Sequence, residues 1–330
     1  MTIFKLAVKP KSYCRMALVG PAGSGKTYTA LQLATQMTNS VALIDTEYDR
    51  SLKYAGEFTF YQVRIRDCHP ANLIELIHTA KEEGHEAMIL DSFSSAWNGR
   101  SGVLWLVDKV TRAGERQSAQ DAWREVNPLQ QELLDTLLDI RMHVFVTLRT
   151  KVAYAQEQKF DPTTNRVKTQ NVRVGLQPIQ RDGIEFEFEL LAEMDHTNTL
   201  RFTKSLCSKL QHQEFPLPGK ELARLIKEWL DEGASSDEGI REEEELKRSL
   251  REEIRGKMGA ARRDERQLTD YLFALYGRSS LYSLEVEELR EVSGYLDEKI
   301  QQASRAREKT KTRERGMSVV TRESEGWQEG

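Results

Sequence analysis

The sequence predicts an α/β protein, in which a mostly parallel sheet is covered by helices and followed by a small all-helical region. Short apolar runs rich in β-branched residues alternate with segments of helical periodicity through the first 230 residues. The runs are apolar throughout rather than alternating, which is typical of strands buried on both faces. Beyond residue 239, leucine and isoleucine recur at helical spacing among alternating charges, which predicts helices only.

Five apolar runs are the predicted strands of the parallel sheet, at residues 16–19, 41–44, 58–63, 87–90 and 144–148. Helices are predicted between them, for example over 28–37 and 72–83. After residue 183 the pattern changes to IEFEFELL, and a turn at 196–198 leads into TLRFTK. This pattern predicts an antiparallel hairpin added at one edge of the sheet.

The composition changes near residue 231 and divides the chain into four predicted parts. Residues 1–230 form the α/β domain. Residues 231–239 are small and polar, which is typical of a flexible linker. We expect a helical domain over 240–302 and a disordered basic and polar tail over 303–330, where few apolar residues remain to offset the entropy of ordering.

Composition also excludes several classes of protein. The longest apolar run has six residues, far below the roughly 20 that cross a bilayer, and the start of the sequence lacks the apolar core of a signal peptide. We therefore expect a cytoplasmic protein without a membrane partner. Cys14, Cys68 and Cys207 have no disulfide or zinc-ligand spacing. The formal net charge is −4, so a nucleic-acid partner has to be argued from local charge.

A glycine-rich motif follows the first strand. Residues 20–27 read GPAGSGKT, which matches G-x-x-x-x-G-K-[ST] and runs directly into the helical segment YTALQLATQM. In such a loop the main-chain N–H groups surround phosphate oxygens, the lysine reaches the β and γ oxygens, and the hydroxyl ligates Mg²⁺. The motif predicts a site for ATP and Mg²⁺, formed by Gly20, Pro21, Ala22, Gly23, Ser24, Gly25, Lys26, Thr27 and the adjoining Tyr28.

Carboxylates follow two further predicted strands. Asp91 ends the apolar run ILD and is, with Thr27, the predicted pair of Mg²⁺ ligands; a strand end with an Asp-initiated turn is the alternative. Asp45, Glu47 and Asp49 alternate at the end of the strand VALID, at the sheet edge where open α/β sheets bind ligands. A base at this edge is placed to orient an attacking water, and a solvated acidic turn is the alternative.

Taken together, the motifs GPAGSGKT, LIDTE and ILDS resemble the ATPase core of the RecA-like superfamily over roughly residues 12–210. The resemblance implies that Glu47 is the general base and that Lys26 offsets developing charge. Within the superfamily, the chain looks most similar to the Sak-type phage and prophage ATPases of single-strand annealing and homologous recombination. This similarity implies ATP hydrolysis, single-stranded DNA binding, a homo-oligomeric ring or filament, and a recombination or single-strand-binding protein as a partner.

The same resemblance assigns further residues to the nucleotide. The strand 144–148 ends where RecA-like proteins carry a polar γ-phosphate sensor; the glutamine of RecA is absent, and Thr147 or Arg149 stands in its place. Lys204 matches a lysine that related ATPases project from an edge strand into the neighbouring subunit's site, but residue 206 is Leu where an arginine is usual. A lysine that merely protects an edge strand is the alternative.

A basic segment after residue 150 is the predicted nucleic-acid contact. Residues 151–181 contain six basic and two acidic residues, with Tyr154 and Phe160 among them, and exceed an ordinary connection in length. Cations beside aromatic rings suit single-stranded nucleic acid, and by resemblance this loop faces DNA. The candidate residues are Lys151, Lys159, Arg166, Lys168 and Arg173. A basic surface without a ligand is the alternative. A second long connection is predicted over 92–125, with a helix through 103–107.

Three functions remain open on the sequence alone. The first is a recombination or annealing ATPase that binds single-stranded DNA. The second is a hexameric translocase, a helicase or a helicase loader built on the same core. The third is a P-loop kinase or nucleotide switch that binds no DNA, against which stand the strand end LIDTE and the lack of an evident arginine-rich lid.

Overall fold

The computed structural model describes residues 7, 9–113, 118–161, 166–233, 238–261, 265–302 and 304. The chain divides into two compact units, 1–236 and 237–330. In the range predicted to be a linker, a helix ends at Asp231 and another begins at Glu238, so its first residue and its last two are helical. The predicted tail lies outside the described residues except for Ser304.

The first unit is built on a nine-stranded sheet in the order β3-β2-β4-β5-β1-β7-β8-β9, with β6 paired to β5 off this path. The strands from β3 to β7 in that order run parallel, and β8 and β9 continue antiparallel. The strands are β1 (Arg15–Gly20), β2 (Val41–Asp45), β3 (Tyr61–Arg64), β4 (Ala87–Asp91), β5 (His143–Asp161), β6 (Arg166–Pro178), β7 (Leu190–Met194), β8 (Thr199–Ser205) and β9 (Glu214–Pro216).

Helices cover both faces of this sheet. They are α1 (Lys26–Met37), α2 (Pro70–Glu82), α3 (Ser94–Asn98), α4 (Val103–Ala113), α5 (Ala119–Asp139) and α6 (Lys220–Asp231). Because side chains alternate along a strand, Met16 and Leu18 pack with α1 and α6, whereas Ala17 and Val19 pack with α2 and α5. The predicted fold class, a three-layer RecA-like core with a mostly parallel sheet, is confirmed.

Three local predictions differ from the structure in detail. The helix predicted through 103–107 is confirmed as part of α4, and the connection over 92–125 is more helical than predicted, since it also holds α3 and the start of α5. The segment IEFEFELL begins with a 3-10 turn at Ile184–Phe186, and its strand starts only at Leu190. The predicted antiparallel hairpin is confirmed as β7–β8 at one side of the parallel strands, and the short strand β9 pairs with β8 on its outer side.

The basic segment predicted as a loop is a long antiparallel ribbon. β5 runs through the centre of the sheet as far as Arg149 and then continues from Thr150 to Asp161 paired with β6. The register is regular except for one bulge between Ala153 and Tyr154. Twelve strand residues at about 3.4 Å each carry this ribbon roughly 40 Å from its root. The ribbon therefore leaves the sheet at the edge where the parallel strands end.

The second unit is helical, as predicted. It contains α7 (Glu238–Ala261), α8 (Glu265–Tyr276) and a helix over 286–302, here α9. Its core is aliphatic and includes Ile254, Met258, Leu272, Leu289, Val292 and Leu296. None of the helices formed by the described residues of either unit has the length and apolarity needed to cross a membrane.

Candidate nucleotide site

The glycine loop joins the end of β1 to the start of α1. Gly23 and Gly25 have φ of 79° and 85°, in the left-handed region that favours glycine. A Cβ on Gly25 would lie 2.8 Å from Nδ2 of Asn198, and a Cβ on Gly20 would lie 2.5 Å from the carbonyl oxygen of Met194. The loop is therefore held between α1 and the β7–β8 turn. A side chain at Gly20 would meet a backbone carbonyl, whereas a side chain at Gly25 would require the side chain of Asn198 to shift.

The start of α1 offers free donors to an anion. Gly25 precedes the helix, no side chain within the described part of the chain caps it, and its first turn carries no acidic residue. The first N–H groups of a helix have no intrahelical acceptor, and the helix dipole adds positive potential there. Ser24 contributes a buried hydroxyl that has no hydrogen-bond partner among the described residues. These groups fit the phosphates of a nucleotide.

Lys26 points back into the same loop. Its ammonium donates to the carbonyl oxygens of Gly20 at 2.9 Å and Pro21 at 2.8 Å. Burial lowers the pKa of Lys26, and the carboxylates of Asp91 and Glu47 act in the opposite direction. The lysine is thus placed beside the loop amides before any ligand is bound.

Asp91 and Thr27 bring two oxygen ligands together. Thr27 Oγ1 donates to Asp91 Oδ2 at 2.7 Å, and Thr147 donates to the other carboxylate oxygen. Burial raises the pKa of Asp91, while these two hydrogen bonds lower it. In the described ranges no three or more His, Cys, Asp and Glu side chains are arranged so that they could hold a metal ion by themselves. A pair of hard oxygen ligands beside a phosphate cradle fits Mg²⁺, which takes few protein ligands and completes its shell with phosphate and water.

The three alternating carboxylates at the end of β2 and in the following turn have different partners. Asp45 is buried, and its oxygens accept from the Glu47 amide at 2.6 Å, from Ser51 Oγ at 2.5 Å and from Gln62 Nε2 at 3.1 Å. Asp49 pairs with Arg64. Glu47 remains near the glycine loop, with its side chain 19% exposed. Asp45 therefore shapes the turn that presents Glu47.

Arg149 lies beside Glu47 at the end of the sheet portion of β5. Its Nε is 3.5 Å from Glu47 Oε1, its Nη2 donates to Ser95 Oγ at 3.1 Å, and its amide donates to Ser94 Oγ at 2.9 Å. Arg149 from β5 and Glu47 from the turn after β2, both predicted site residues, are therefore in contact. The charge of Arg149 also lowers the pKa of Lys26, so the three groups share one electrostatic environment.

Other predicted residues lie elsewhere. The ring of Tyr28 packs edge-on against Tyr54 and Phe58, with centroids 5.6 Å and 5.1 Å away. Lys204 pairs in register with Leu191, near the start of β7 and away from the edge that carries the glycine loop, and donates to the carbonyl of Phe186. The ammonium of Lys204 is therefore bound away from the nucleotide site of its own chain.

The five predicted nucleic-acid contacts all belong to the ribbon. Lys151 is exposed at its root. Within the paired strands Lys159 lies opposite Lys168, and Tyr154 lies opposite Arg173. Arg166 begins β6 opposite Asp161.

Several contacts at the site were not predicted. Asn198 and Met194 reach the glycine loop from the β7–β8 turn, and Ser94 and Ser95 hold Arg149. Thr46 donates to Ser95 Oγ at 2.9 Å and so belongs to the same network. The clustered serines after Asp91 were the only sequence signal for this network, since their partners come from β2 and β5.

The comparison with known families agrees with this geometry. A family model described as an AAA domain matches residues 12–215, which spans the sheet, the glycine loop and the ribbon. No curated protein matches the chain. A match over more than half of the sequence, on a fold whose glycine loop has the geometry described above, shows that the chain belongs to the AAA-domain family of P-loop ATPases.

Proposed function

We propose that this protein is a Mg²⁺-dependent ATPase of the Sak type that binds single-stranded DNA along its β5–β6 ribbon and uses ATP in recombination or strand annealing. One observation carries the proposal. The strand β5 that brings Thr147 to Asp91 and Arg149 to Glu47 is the same strand that forms the basic ribbon. One strand, β5, therefore contributes residues both to the nucleotide site and to the candidate DNA contact.

Different residues of the chain bind the phosphates, bind the metal and orient the attacking water in the proposed hydrolysis. The loop amides and Lys26 hold the phosphates. Thr27 and Asp91 would hold Mg²⁺, which would supply positive charge beside the phosphate oxygens. Glu47 orients the attacking water, since its carboxylate is the acidic group beside Lys26 that is neither the metal ligand nor buried in the turn.

The ribbon supplies affinity for nucleic acid through charge and stacking. It is long enough to follow several nucleotides, and its five basic residues are distributed over both strands. Backbone phosphates would be neutralised by these cations, so binding weakens steeply as salt is added.

We propose further that the protein acts as a homo-oligomer in which Lys204 completes the site of a neighbouring subunit. Lys204 lies away from its own glycine loop, so any catalytic role has to be exercised on another copy. Loss of activity in Lys204→Ala, restored on mixing with a Lys26→Ala chain, supports this assignment. Failure of the mixture to recover activity contradicts it.

Removal of the ribbon tests the proposal. Lys151 and Gln177 are direct partners, so residues 152–176 can be replaced by Asn-Gly, which closes a short hairpin. We expect the wild-type protein to hydrolyse ATP faster with single-stranded DNA, and the shortened protein to bind ATP as before but lose DNA binding and stimulation. Asp91→Asn is the matched control, which keeps DNA binding and loses hydrolysis.

Two results would overturn the proposal. Absence of ATPase stimulation together with absence of salt-sensitive DNA binding in the wild-type protein favours a kinase or nucleotide switch. Unwinding of a duplex with a single-stranded flank, in a strand-displacement assay, favours a translocase or helicase over an annealing ATPase.

A further inference from the structure

Groups of two kinds border the glycine loop. Asp91, which ends β4, accepts a hydrogen bond from Thr27, and Glu47 follows the end of β2. Asn198 of the β7–β8 turn reaches the loop at Gly25. The sheet order places β2 and β4 on one side of β1, and β7 and β8 on the other. The loop therefore lies between the two carboxylates and the β7–β8 turn.

The two carboxylates indicate the direction of a bound nucleotide. In phosphoryl transfer, the metal ligands and the group that orients water both act at the terminal phosphates. With Asp91 and Glu47 in these roles, the terminal phosphates would lie towards β2 and β4. Because a nucleotide is elongated, its nucleoside end would then extend towards the β7–β8 turn.

Asn198 and Leu217 form the surface on that side of the loop. Nδ2 of Asn198 lies 2.8 Å from the position that a Cβ on Gly25 would occupy, so the amide borders the loop directly. The Leu217 N–H donates to the Asn198 carbonyl at 3.2 Å, which holds the two residues side by side. Leu217 is 75% exposed, the largest fraction among the large hydrophobic residues that the structure describes.

The backbone presents both residues in a conformation that side chains seldom adopt. Asn198 has φ of 60° and Leu217 has φ of 48°, both in the left-handed region. Asparagine is found there fairly often, whereas a bulky apolar residue is not. The turn therefore holds an apolar side chain in solvent although its backbone is strained, and such residues cluster at ligand sites.

The chemistry of this surface matches a purine base. A base has flat apolar faces that can cover a leucine and a polar edge that can meet an amide. At its N6/N7 edge adenine offers one donor and one acceptor, which are the complement of the acceptor and donor of an asparagine side chain. Guanine offers two acceptors at the same edge, so the amide oxygen would lack a donor.

We propose that Asn198 and Leu217 form a nucleobase subsite in which the Asn198 amide selects adenine over guanine. Leu217 packs against one face of the base. The amide of Asn198 donates to N7 and accepts from the N6 amino group. This inference rests on the proposed ATPase function and names the base that the same site takes.

Nucleotides that differ only in the base test the amide contact. Affinities of the full-length protein for MgADP, MgGDP and Mg-7-deaza-ADP, which has carbon in place of N7, are measured by calorimetry. Magnesium pyrophosphate is the probe without a base. We expect the wild type to bind ADP about tenfold more tightly than either analogue. Asn198→Gly, which favours the same φ, should remove both preferences and leave the pyrophosphate affinity unchanged.

A second variant tests the apolar platform. Leu217→Ser should weaken ADP and GDP alike, by about fivefold, because the base then covers less apolar surface. The affinity for pyrophosphate should not change. Leu206→Ser is the matched control, since Leu206 is 63% exposed but follows the opposite end of β8. Equal weakening by the two serine variants would contradict the role of Leu217.

Two further results overturn the subsite. Equal binding of ADP and 7-deaza-ADP by the wild type excludes the amide contact. Parallel loss of ADP and pyrophosphate affinity in Asn198→Gly shows that the amide meets phosphate rather than the base. A wild-type chain that binds neither ADP nor pyrophosphate overturns the proposed ATPase instead, so the two failures are distinguishable.

Urea unfolding of each variant identifies any that fail to fold. In that event Asn198→Asp replaces Asn198→Gly, because aspartate tolerates the left-handed turn and lacks the donor to N7. The readout is then the ratio of the affinities for ADP and 7-deaza-ADP, in which any repulsion between the new carboxylate and the phosphates cancels. We expect this ratio to fall about tenfold, to near one, and an unchanged ratio overturns the subsite.

Discussion

The hydroxyl of Thr147 donates a hydrogen bond to the carboxylate of Asp91 from the next strand of the sheet. Leu90 pairs with Val146, so the residues that follow them are brought side by side at the end of β4 and within β5. Thr27 binds the other carboxylate oxygen from α1. The candidate metal ligand is thus fixed by two hydroxyls that come from different elements.

Replacement of Thr147 by Val should weaken the response to Mg²⁺. Valine has a similar shape but leaves one Asp91 oxygen without its donor, which costs about 1–3 kcal/mol and raises the pKa of Asp91 further. We expect the Mg²⁺ concentration at half-maximal ATPase rate to rise about tenfold, since roughly 1.4 kcal/mol corresponds to a factor of ten. Thr147→Ser keeps the hydroxyl and is the control; identical behaviour of the two variants would refute the assignment.

Replacement of Gly25 by Ala should weaken nucleotide binding. Gly25 and Gly84 have the same φ of 85°, so alanine at either site costs roughly 1–2 kcal/mol of backbone strain. Only at Gly25 does the new Cβ also meet Asn198, whereas no described atom lies within 4 Å at Gly84. Equilibrium binding of a fluorescent ATP analogue checks this. Equal loss of binding in Gly84→Ala would contradict the steric reason.

Replacement of Asp45 by Ala should displace Glu47 and lower the ATPase rate, although the Glu47 side chain itself is unchanged. The change leaves the Glu47 amide and the Ser51 hydroxyl without their acceptor, whereas Gln62 keeps its bond to Asp49, for a loss of about 3 kcal/mol in the free energy of unfolding. We expect kcat to fall while the affinity for ADP stays, because the glycine loop is untouched. Asp49→Ala, which loses a partly exposed pair with Arg64, should cost about 1 kcal/mol or less and preserve kcat.

Acid should destabilise the protein through His143. Burial, assisted by the charges of Lys227 and Arg15, lowers the pKa of this histidine from 6.5 to about 4, and its Nδ1 accepts from the Cys14 amide at 3.0 Å. Between pH 6.5 and 4, His143 binds a proton in the unfolded chain but stays neutral in the folded chain. The stability that is present above pH 6.5 is therefore lost as the pH falls, by about 1.4 kcal/mol per unit.

The variant His143→Asn isolates this effect, because asparagine can accept the same hydrogen bond and does not titrate. Urea unfolding at pH 7, 6 and 5 gives the difference in unfolding free energy between wild type and variant. That difference should fall by about 1 kcal/mol or more over this range. A difference that is independent of pH would show that His143 does not titrate on unfolding.

The fold was predictable because its signals are local. Each buried strand is a continuous apolar run, and the glycine loop is a contiguous motif between a strand and a helix. The ribbon was not predictable as strand, since segments such as AQEQKF and KTQNV are polar in nearly every position and show no apolar face. A strand whose sequence does not alternate between apolar and polar residues leaves no hydrophobic period to detect.

The site was predictable as a set of residues but not as a set of contacts. Asp45, Glu47 and Asp49 look equivalent along the sequence, and only Ser51, Gln62 and Arg64 distinguish them. These partners come from a turn and from β3. The distance of Lys204 from its own loop likewise depends on the register of β7 with β8, which no local pattern specifies.

One feature of β5 has a mechanical consequence. The strand passes as a single piece from Thr147 at the metal ligand to the tip of the ribbon. Because a β-strand resists stretching, a force on a ligand bound to the ribbon would be transmitted along the backbone of β5 to Thr147. Because such coupling is reciprocal in binding free energy, a ligand bound to the ribbon and a nucleotide bound at the glycine loop would change each other's affinity by the same factor.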